Sequence, residues 1–208
     1  MNNGKIAGLG TGALAGIGAG LVLIIIVIYG TSWNNGAITK KVAVSKQWAN
    51  VESSYQRRSD LIPNIVATAK QYAEFEQETL TGVIEARSKA TSINVDASNL
   101  TADQIQQFSK AQGAVSSGLG RLLATYENYP DLKANENFKE LINELERTEN
   151  RINVERNRYN EGVGVYNLHI KKFPGSLLAS MLEFDESPFF KSDEGAQNAP
   201  KVGDLFNN

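Results

Sequence analysis

The chain has 208 residues, with 21 lysines and arginines against 23 aspartates and glutamates, a formal net charge of -2, one histidine and no cysteine. The near balance of charge speaks against the basic surface that nucleic-acid binding requires, so no nucleic-acid partner is expected. Without thiols there are no disulfides, no thiolate catalysis, no lipid attachment at cysteine and few routes to a structural zinc site.

After a short N-terminal tail (residues 1–5), Ile6 to Tyr29 is an uncharged stretch of 24 residues. At 1.5 Å per residue it measures ~36 Å, enough to cross a ~30 Å hydrocarbon core with some tilt, so residues 6–30 read as a transmembrane helix in the lipid bilayer. Gly8, Gly12, Gly16 and Gly20 recur every four residues, with Thr11, Ala15 and Ala19 one position behind the last three. Burial of apolar groups gives no drive between helices in lipid, and close van der Waals contact across a small-residue face is the main attraction available. The ladder therefore predicts a homo-oligomer assembled through this face. The rival reading is a cleaved signal peptide, with Lys5 as its basic region, Leu21 to Tyr29 as its core and Gly30-Thr31-Ser32 as its small-residue site. The apolar run starts too early and lasts too long for that, and no A-x-A follows. Tyr29 and Trp33, one turn apart, suit the aromatic belt at a bilayer surface, whereas the lysines leave the side open. Lys5 and the terminal amine, by proximity, put the bulk outside; Lys40, Lys41 and Lys46, by count, put it inside.

Residues 31–190 are expected to form an all-α antiparallel four-helix bundle, coiled-coil-like, with a C-terminal packing segment. Asn34-Asn35-Gly36 is a turn signal, so the membrane helix should end there and a new helix run from Ala37 or Ile38 to about Arg58. Pro63 predicts a further helix capped by Ser59 or Asp60, with a kinked continuation as the alternative. Ile62, Ile65, Val66, Ala69, Tyr72, Ala73, Leu80 and Val83 carry its apolar stripe toward Thr91. After a polar linker at 92–100, Thr101-Ala102-Asp103-Gln104 is a capping box. The third helix then carries Ile105, Phe108, Gln112, Val115, Leu119, Leu122, Tyr126 and Tyr129 on one seam, polar only at Gln112, and Pro130 stops it. Gly113, Gly118 and Gly120 cost that helix roughly 1 kcal/mol each and predict close packing on a neighbour.

The fourth helix, about Glu136 to Phe173, repeats Phe138, Leu145, Ile152, Tyr159, Tyr166 and Phe173 every seven residues, the mark of a left-handed bundle. Its middle is polar, with Thr148, Glu149, Glu155 and Arg156 where apolar residues belong. A di-iron site is argued against because the only histidine, His169, lacks the Glu-x-x-His pattern; it is read as a packed or exposed helical residue. No Walker, nucleophile-elbow or metal-ligand motif is present, so no catalytic residue, metal or cofactor is expected. The polar layer is read as an ion-pair and amide network that fixes helix register, with a binding or catalytic role as the lesser alternative. Leu177 to Phe184 should pack as a short helix, Ser187 to Phe190 should dock a second patch, and residues 191–208 read as a mobile tail.

Several of these stretches resemble the LemA family of bacterial membrane proteins. The resemblance covers Gln56-Arg57-Arg58-Ser59-Asp60-Leu61-Ile62-Pro63-Asn64, Arg121-Leu122-Leu123 and Tyr129-Pro130-Asp131-Leu132-Lys133-Ala134-Asn135-Glu136-Asn137-Phe138. It continues through Thr148-Glu149-Asn150-Arg151-Ile152, Arg158-Tyr159-Asn160 and Phe173-Pro174, and spans roughly residues 34 to 206. It implies one N-terminal membrane helix followed by a long antiparallel bundle in the bacterial inner membrane. It implies no established reaction, and, through a branch associated with building magnetosome membranes, membrane organisation. The chain departs from the family at Ser59, Gly162 and Gly164, and the two glycines are expected to loosen the fourth helix. Asp131, Asn135 and Asn137 are natural caps. Arg57, Arg58, Asp60, Glu149, Asn150, Arg156 and Asn160 are the expected structural network, with Arg58 to Glu149 as a pair. The functions that follow are a self-associating membrane scaffold, an adaptor docking another membrane protein, and, last, a hydrolase or metalloenzyme.

Overall fold

The computed structural model describes residues 11–72, 76–97 and 99–191, with side chains in the first helix from Leu14 onward. Gly8, the N-terminal tail and residues 192–208 lie outside the described residues. Among the described residues, all regular structure is helical: α1 (Thr11–Ala69), α2 (Gln77–Thr91), α3 (Ala102–Tyr126), α4 (Pro130–Ala134), α5 (Glu136–Lys171) and α6 (Gly175–Met181).

Helix α1 corrects two expectations. It passes through Asn34-Asn35-Gly36 without a break. A glycine in a helix costs only about 1 kcal/mol relative to alanine, and packing on this stretch outweighs it. Trp33 and Ala37 are buried, and a Cβ on Gly36 would lie 3.3 Å from the His169 ring. The helix does not restart at Ser59 or Asp60 either, because Pro63 lies inside α1. Proline has no N–H for the carbonyl four residues back, which here is that of Ser59. Arg87 Nε on α2 donates to that oxygen at 2.7 Å, so the acceptor freed by the proline is satisfied from outside the helix. The chain reverses later, where Gln71 and Tyr72 N–H groups turn back onto the carbonyls of Thr68 and Ala69. The stripe from Ile62 to Val83, expected as one helix, is therefore divided: Ile62, Ile65, Val66 and Ala69 on α1 and Leu80 and Val83 on α2 face the same core, Tyr72 lies in the turn, and Ala73 lies outside the described residues.

The chain forms two compact units. One comprises Val44–Gly164 with the segment from Ser187; the other comprises the chain up to Ala43 with Val165–Glu186. In the first, the later part of α1, α2, α3 and α5 alternate in direction. The α1 to α5 contacts run antiparallel, from the Trp48–Tyr159 ring pair through Arg57–Glu144 to Tyr72–Asn135. The seam residues Ile105, Phe108, Val115, Leu119 and Leu122 on α3 and Phe138, Leu145, Ile152 and Tyr159 on α5 are buried. The Thr101–Gln104 capping box forms in both directions. Helix α3 ends at Tyr126, short of the expected Tyr129, and Pro130 opens α4 because the first helical turn needs no N–H. Asn135 caps α5 by accepting the Phe138 N–H at 2.9 Å, whereas Asp131 and Asn137 are exposed. Of the three α3 glycines only Gly118 is packed closely, with a Cβ there meeting Val83 at 3.3 Å; Gly113 and Gly120 face open space. Helix α5 stays helical through Gly162 and Gly164.

In the other unit, Trp33 of α1 stacks on His169 of α5 (centroids 5.1 Å apart, planes 12° apart) and meets the edge of Phe184 at 5.7 Å. Gly175 lies so close to the Trp33 indole that any side chain there would overlap it. Helix α6 ends with Glu183 at φ 55° and the Phe184 N–H donating to the Ala179 carbonyl at 3.0 Å, a Schellman closure that returns Phe184 to Trp33. Helix α5 stops at Lys171 because Pro174 follows, and Phe173, expected as the last seam residue, is 76% exposed.

If Arg87 completes the helix around Pro63, Arg87→Met should cost about 1.5–3 kcal/mol, the range of a hydrogen bond to a charged group. The cost should shrink in a Pro63→Ala background, where residue 63 regains its N–H. A urea-unfolding cycle on the four proteins checks this, and equal costs in both backgrounds would refute it.

Candidate functional site

The polar middle of the bundle is organised around Arg58, whose side chain is 1% exposed. It projects from α1 between α3 and α5. Nη1 donates to Ser116 Oγ at 2.7 Å and to Glu149 Oε1 at 2.8 Å. Nη2 donates to the Gln112 carbonyl at 3.1 Å and to its side-chain Oε1 at 2.6 Å. The guanidinium carbon lies 5.0 Å from the Tyr55 ring centroid, within cation–π range. Nε is buried and has no hydrogen-bond partner among the described residues. Beside it is a polar cavity of about 310 Å³ lined in part by Ser109, Ser116, Asn153 and Arg156. Glu149 is 36% exposed, so the pair is only half withdrawn from water, and its carboxylate bears less desolvation than a fully buried one would.

The other expected network residues fall into different places. Arg57 lies on the surface and donates through Nε to Glu144 at 2.9 Å. Asp60 accepts from Gln56 at 2.7 Å on the same exposed face, and Asn150 is exposed. Arg156 and Asn160 do not reach Arg58. They hold the C-terminal segment instead. Asn160 donates to the Phe190 carbonyl at 3.1 Å and accepts the Phe190 N–H at 2.9 Å. Arg156 donates to the Lys191 carbonyl at 3.2 Å and lies over the Phe190 ring. Phe190 is buried, stacked on Trp48 at 5.4 Å, and the Tyr159 hydroxyl donates to the Pro188 carbonyl at 2.9 Å. Burial pushes the Tyr159 phenol well above its ordinary value, so it stays a neutral donor. Of the remaining polar seam residues, Thr148 donates back to the Glu144 carbonyl at 2.8 Å and Glu155 accepts from Arg158 at 2.8 Å.

Sequence reasoning missed Ser116, Tyr55 and the role of Gln112. Gln112 carried a signal, being the single polar residue in the α3 seam; Ser116 and Tyr55 carried none. Among the described residues no three of His, Asp and Glu come together as a metal site. His169 Nε2 lies 3.1 Å from the Trp33 carbonyl, in the other unit.

An apolar helix that none of the described residues covers, continued into an all-α bundle with a polar core, defines a membrane-associated helical-bundle protein. Residues 47–203 match the LemA family, and the chain belongs to that family. It is 24% identical over 176 residues to magnetosome protein MamQ 2 of Paramagnetospirillum magneticum, covering 76% of this chain and 64% of that one. The MamQ of Magnetospirillum gryphiswaldense is 25% identical, over 75% and 64% of the two chains. Protein LemA of Metamycoplasma hominis is 25% identical over 144 residues, 69% of this chain and 62% of the relative. The chain thus spans a little under two thirds of the length of these curated relatives.

Two outcomes follow from the geometry. Arg58→Met leaves Glu149, Gln112 and Ser116 without their donor and should cost about 3 kcal/mol of unfolding free energy, the low end for breaking a buried pair because Glu149 is partly wet. Glu149→Gln keeps an acceptor for Nη1 and should cost about 1 kcal/mol. Denaturant unfolding checks both, and equal costs would dissolve the ranking. On the surface, the hydrogen bond from Arg57, assisted by Arg147, holds the Glu144 carboxyl below the usual range. A carboxyl lowered in this way stabilises the fold above its unfolded value and loses that contribution as pH falls through its folded value. Arg57→Gln should raise the Glu144 titration, read by carboxyl NMR; an unmoved midpoint would rule out Arg57 as the cause.

Proposed function

We propose that this chain is a single-pass scaffold of the bacterial inner membrane, non-catalytic, that self-associates through the face of Gly8, Gly12, Gly16 and Gly20 and takes part in membrane organisation. The observation that carries the reading is the uncovered state of the described part of that face, Gly16 and Gly20. The most apolar window of α1, with mean hydropathy 2.3, has no side chain buried by the rest of the described chain. Cβ atoms built on Gly16, Gly18 or Gly20 would meet nothing within 4 Å, and Ala15 and Ala19 are exposed beside them. Apolar side chains at such positions need only lipid, whereas a glycine face gains attraction when a second helix backbone comes close. The polar network of Arg58 then serves to fix helix register within each protomer. The names of the MamQ relatives as magnetosome proteins support a membrane setting.

A membrane-tethered adaptor is the second reading. It draws on an open groove of about 430 Å³ between α3 and α5, lined in part by Leu119, Leu123 and Leu145, as a place for a partner membrane protein. Because Phe190 belongs to the bundle core, any truncation that tests the tail should begin after Lys191.

The deciding measurement is the mass of the full-length chain in mild detergent beside a Gly12→Leu, Gly16→Leu double variant. The scaffold requires a wild-type assembly that shrinks in the variant while helical content is retained. A monomer in both, or an assembly of unchanged size, removes the glycine-face mechanism.

A further inference from the structure

The two most exposed large apolar side chains among the described residues, Met181 and Phe173, lie in the short helix α6 and just past the end of α5, with Leu177 and Leu182 exposed beside them. Phe173 is 76% exposed, Leu177 61%, Met181 78% and Leu182 49%. On α6 the burial has a clear polarity. Gly175 and Ala179, four residues apart, are buried, and Leu177 and Met181, also four apart and half a turn round, face outward. Helical spacing alone would place the outward pair in water.

Their level along α1 decides what covers them. Helix α6 begins where Gly175 is pressed on the Trp33 indole, and the Schellman closure at its other end brings Phe184 to the same ring. Trp33 is one turn past Tyr29, the last residue of the apolar run that begins at Ile6, so it stands ~6 Å beyond the end of that run, inside the headgroup layer of a bilayer. The exposed apolar surface of α1 from Leu14 to Tyr29 therefore continues onto α6 at the height where the membrane surface lies. The groove here, about 670 Å³, is lined by Tyr29, Trp33, Leu168 and Phe173 together with Lys40 and Lys172. Lys40 Nζ reaches back toward the membrane end, 3.9 Å from where a Gly36 Cβ would be. Neither lysine has a carboxylate partner among the described residues, whereas Lys171 is paired with Glu186 at 2.8 Å. Apolar side chains below and unpaired ammonium groups above match the order of acyl chain and phosphate in a leaflet.

We propose that the end of α5 and helix α6 form a second membrane contact, lying in the headgroup layer beside α1 and inserting Leu177 and Met181 among the phospholipids. This inference rests on α1 entering the bilayer near Tyr29 and is independent of self-association.

The absence of cysteine makes the test direct. Single variants Met181→Cys, Leu177→Cys, Tyr29→Cys, Val27→Cys and Val42→Cys of the full chain, each labelled with an environment-sensitive fluorophore, are reconstituted in vesicles of phosphatidylethanolamine and phosphatidylglycerol. Lipids carrying a nitroxide near the headgroup should quench labels at 181 and 177 to the extent seen at 29, and leave the label at 42, ~20 Å further along α1, unquenched. Iodide in the aqueous phase should show the reverse order. A label at 181 quenched by iodide as fully as that at 42 would overturn the inference. So would one shielded from both iodide and nitroxide, since protein would then be the cover. A label at 27 that deep nitroxides fail to reach would show instead that the underlying membrane span is wrong.

Discussion

Helix α1 is the constraint on which the remaining structure depends. A single continuous helix carries the chain from an apolar face with no neighbours among the described residues, past a glycine and a proline, into a packed core. Each of the two weak points is supported from outside the helix. At Gly36 the His169 ring occupies the space a side chain would take, and at Pro63 the Arg87 guanidinium replaces the missing N–H. Local sequence disfavours helix at both points by amounts of about 1–3 kcal/mol, small enough for tertiary contacts to reverse.

Arg58 is the counterpart of that continuity inside the core. A guanidinium withdrawn from water is tolerable only when nearly all of its donors are used, and here three helices contribute acceptors: Gln112 and Ser116 from α3, Glu149 from α5, and the Tyr55 ring from α1 itself. Such an arrangement adds little net stability over an apolar core, and the role proposed for it is register, because a slip of one turn would strand the charge. The aromatic cluster of Trp48, Phe108, Tyr159 and Phe190 supplies the apolar burial beside it. Arg156 and Asn160 bind the returning C-terminal segment by its backbone, so residues expected in one network serve two separate tasks.

At the other end of the chain, the same helix–helix contact that buries Trp33 leaves the outward side of α6 apolar. Phe173, Leu177 and Met181 are exposed there together. Their place beside the end of an apolar run gives that exposure a solvent in which it is favourable.

Much was legible in the sequence because it depended on local periodicity or composition. The uncharged run of Ile6 to Tyr29, the α3 capping box, the α5 heptads from Phe138 to Tyr166 and the LemA family motifs all rest on residues close in the chain. The pairing of Arg58 with Glu149 was accessible in part, since Glu149 interrupts the fourth-helix seam and Arg58 stands in a polar stretch beside Pro63 that offers it a partner. What only the tertiary structure decided were the outcomes set by partners far away in sequence. These are helix continuity at Gly36 and Pro63, the reversal after Ala69, the acceptors Ser116 and Gln112, and the division of the polar residues between core and C-terminal clamp. Phe173 shows the boundary between the two. Its seven-residue spacing placed it on the buried seam, but Pro174 had already ended the helix that gives such spacing its meaning, and the side chain turned outward.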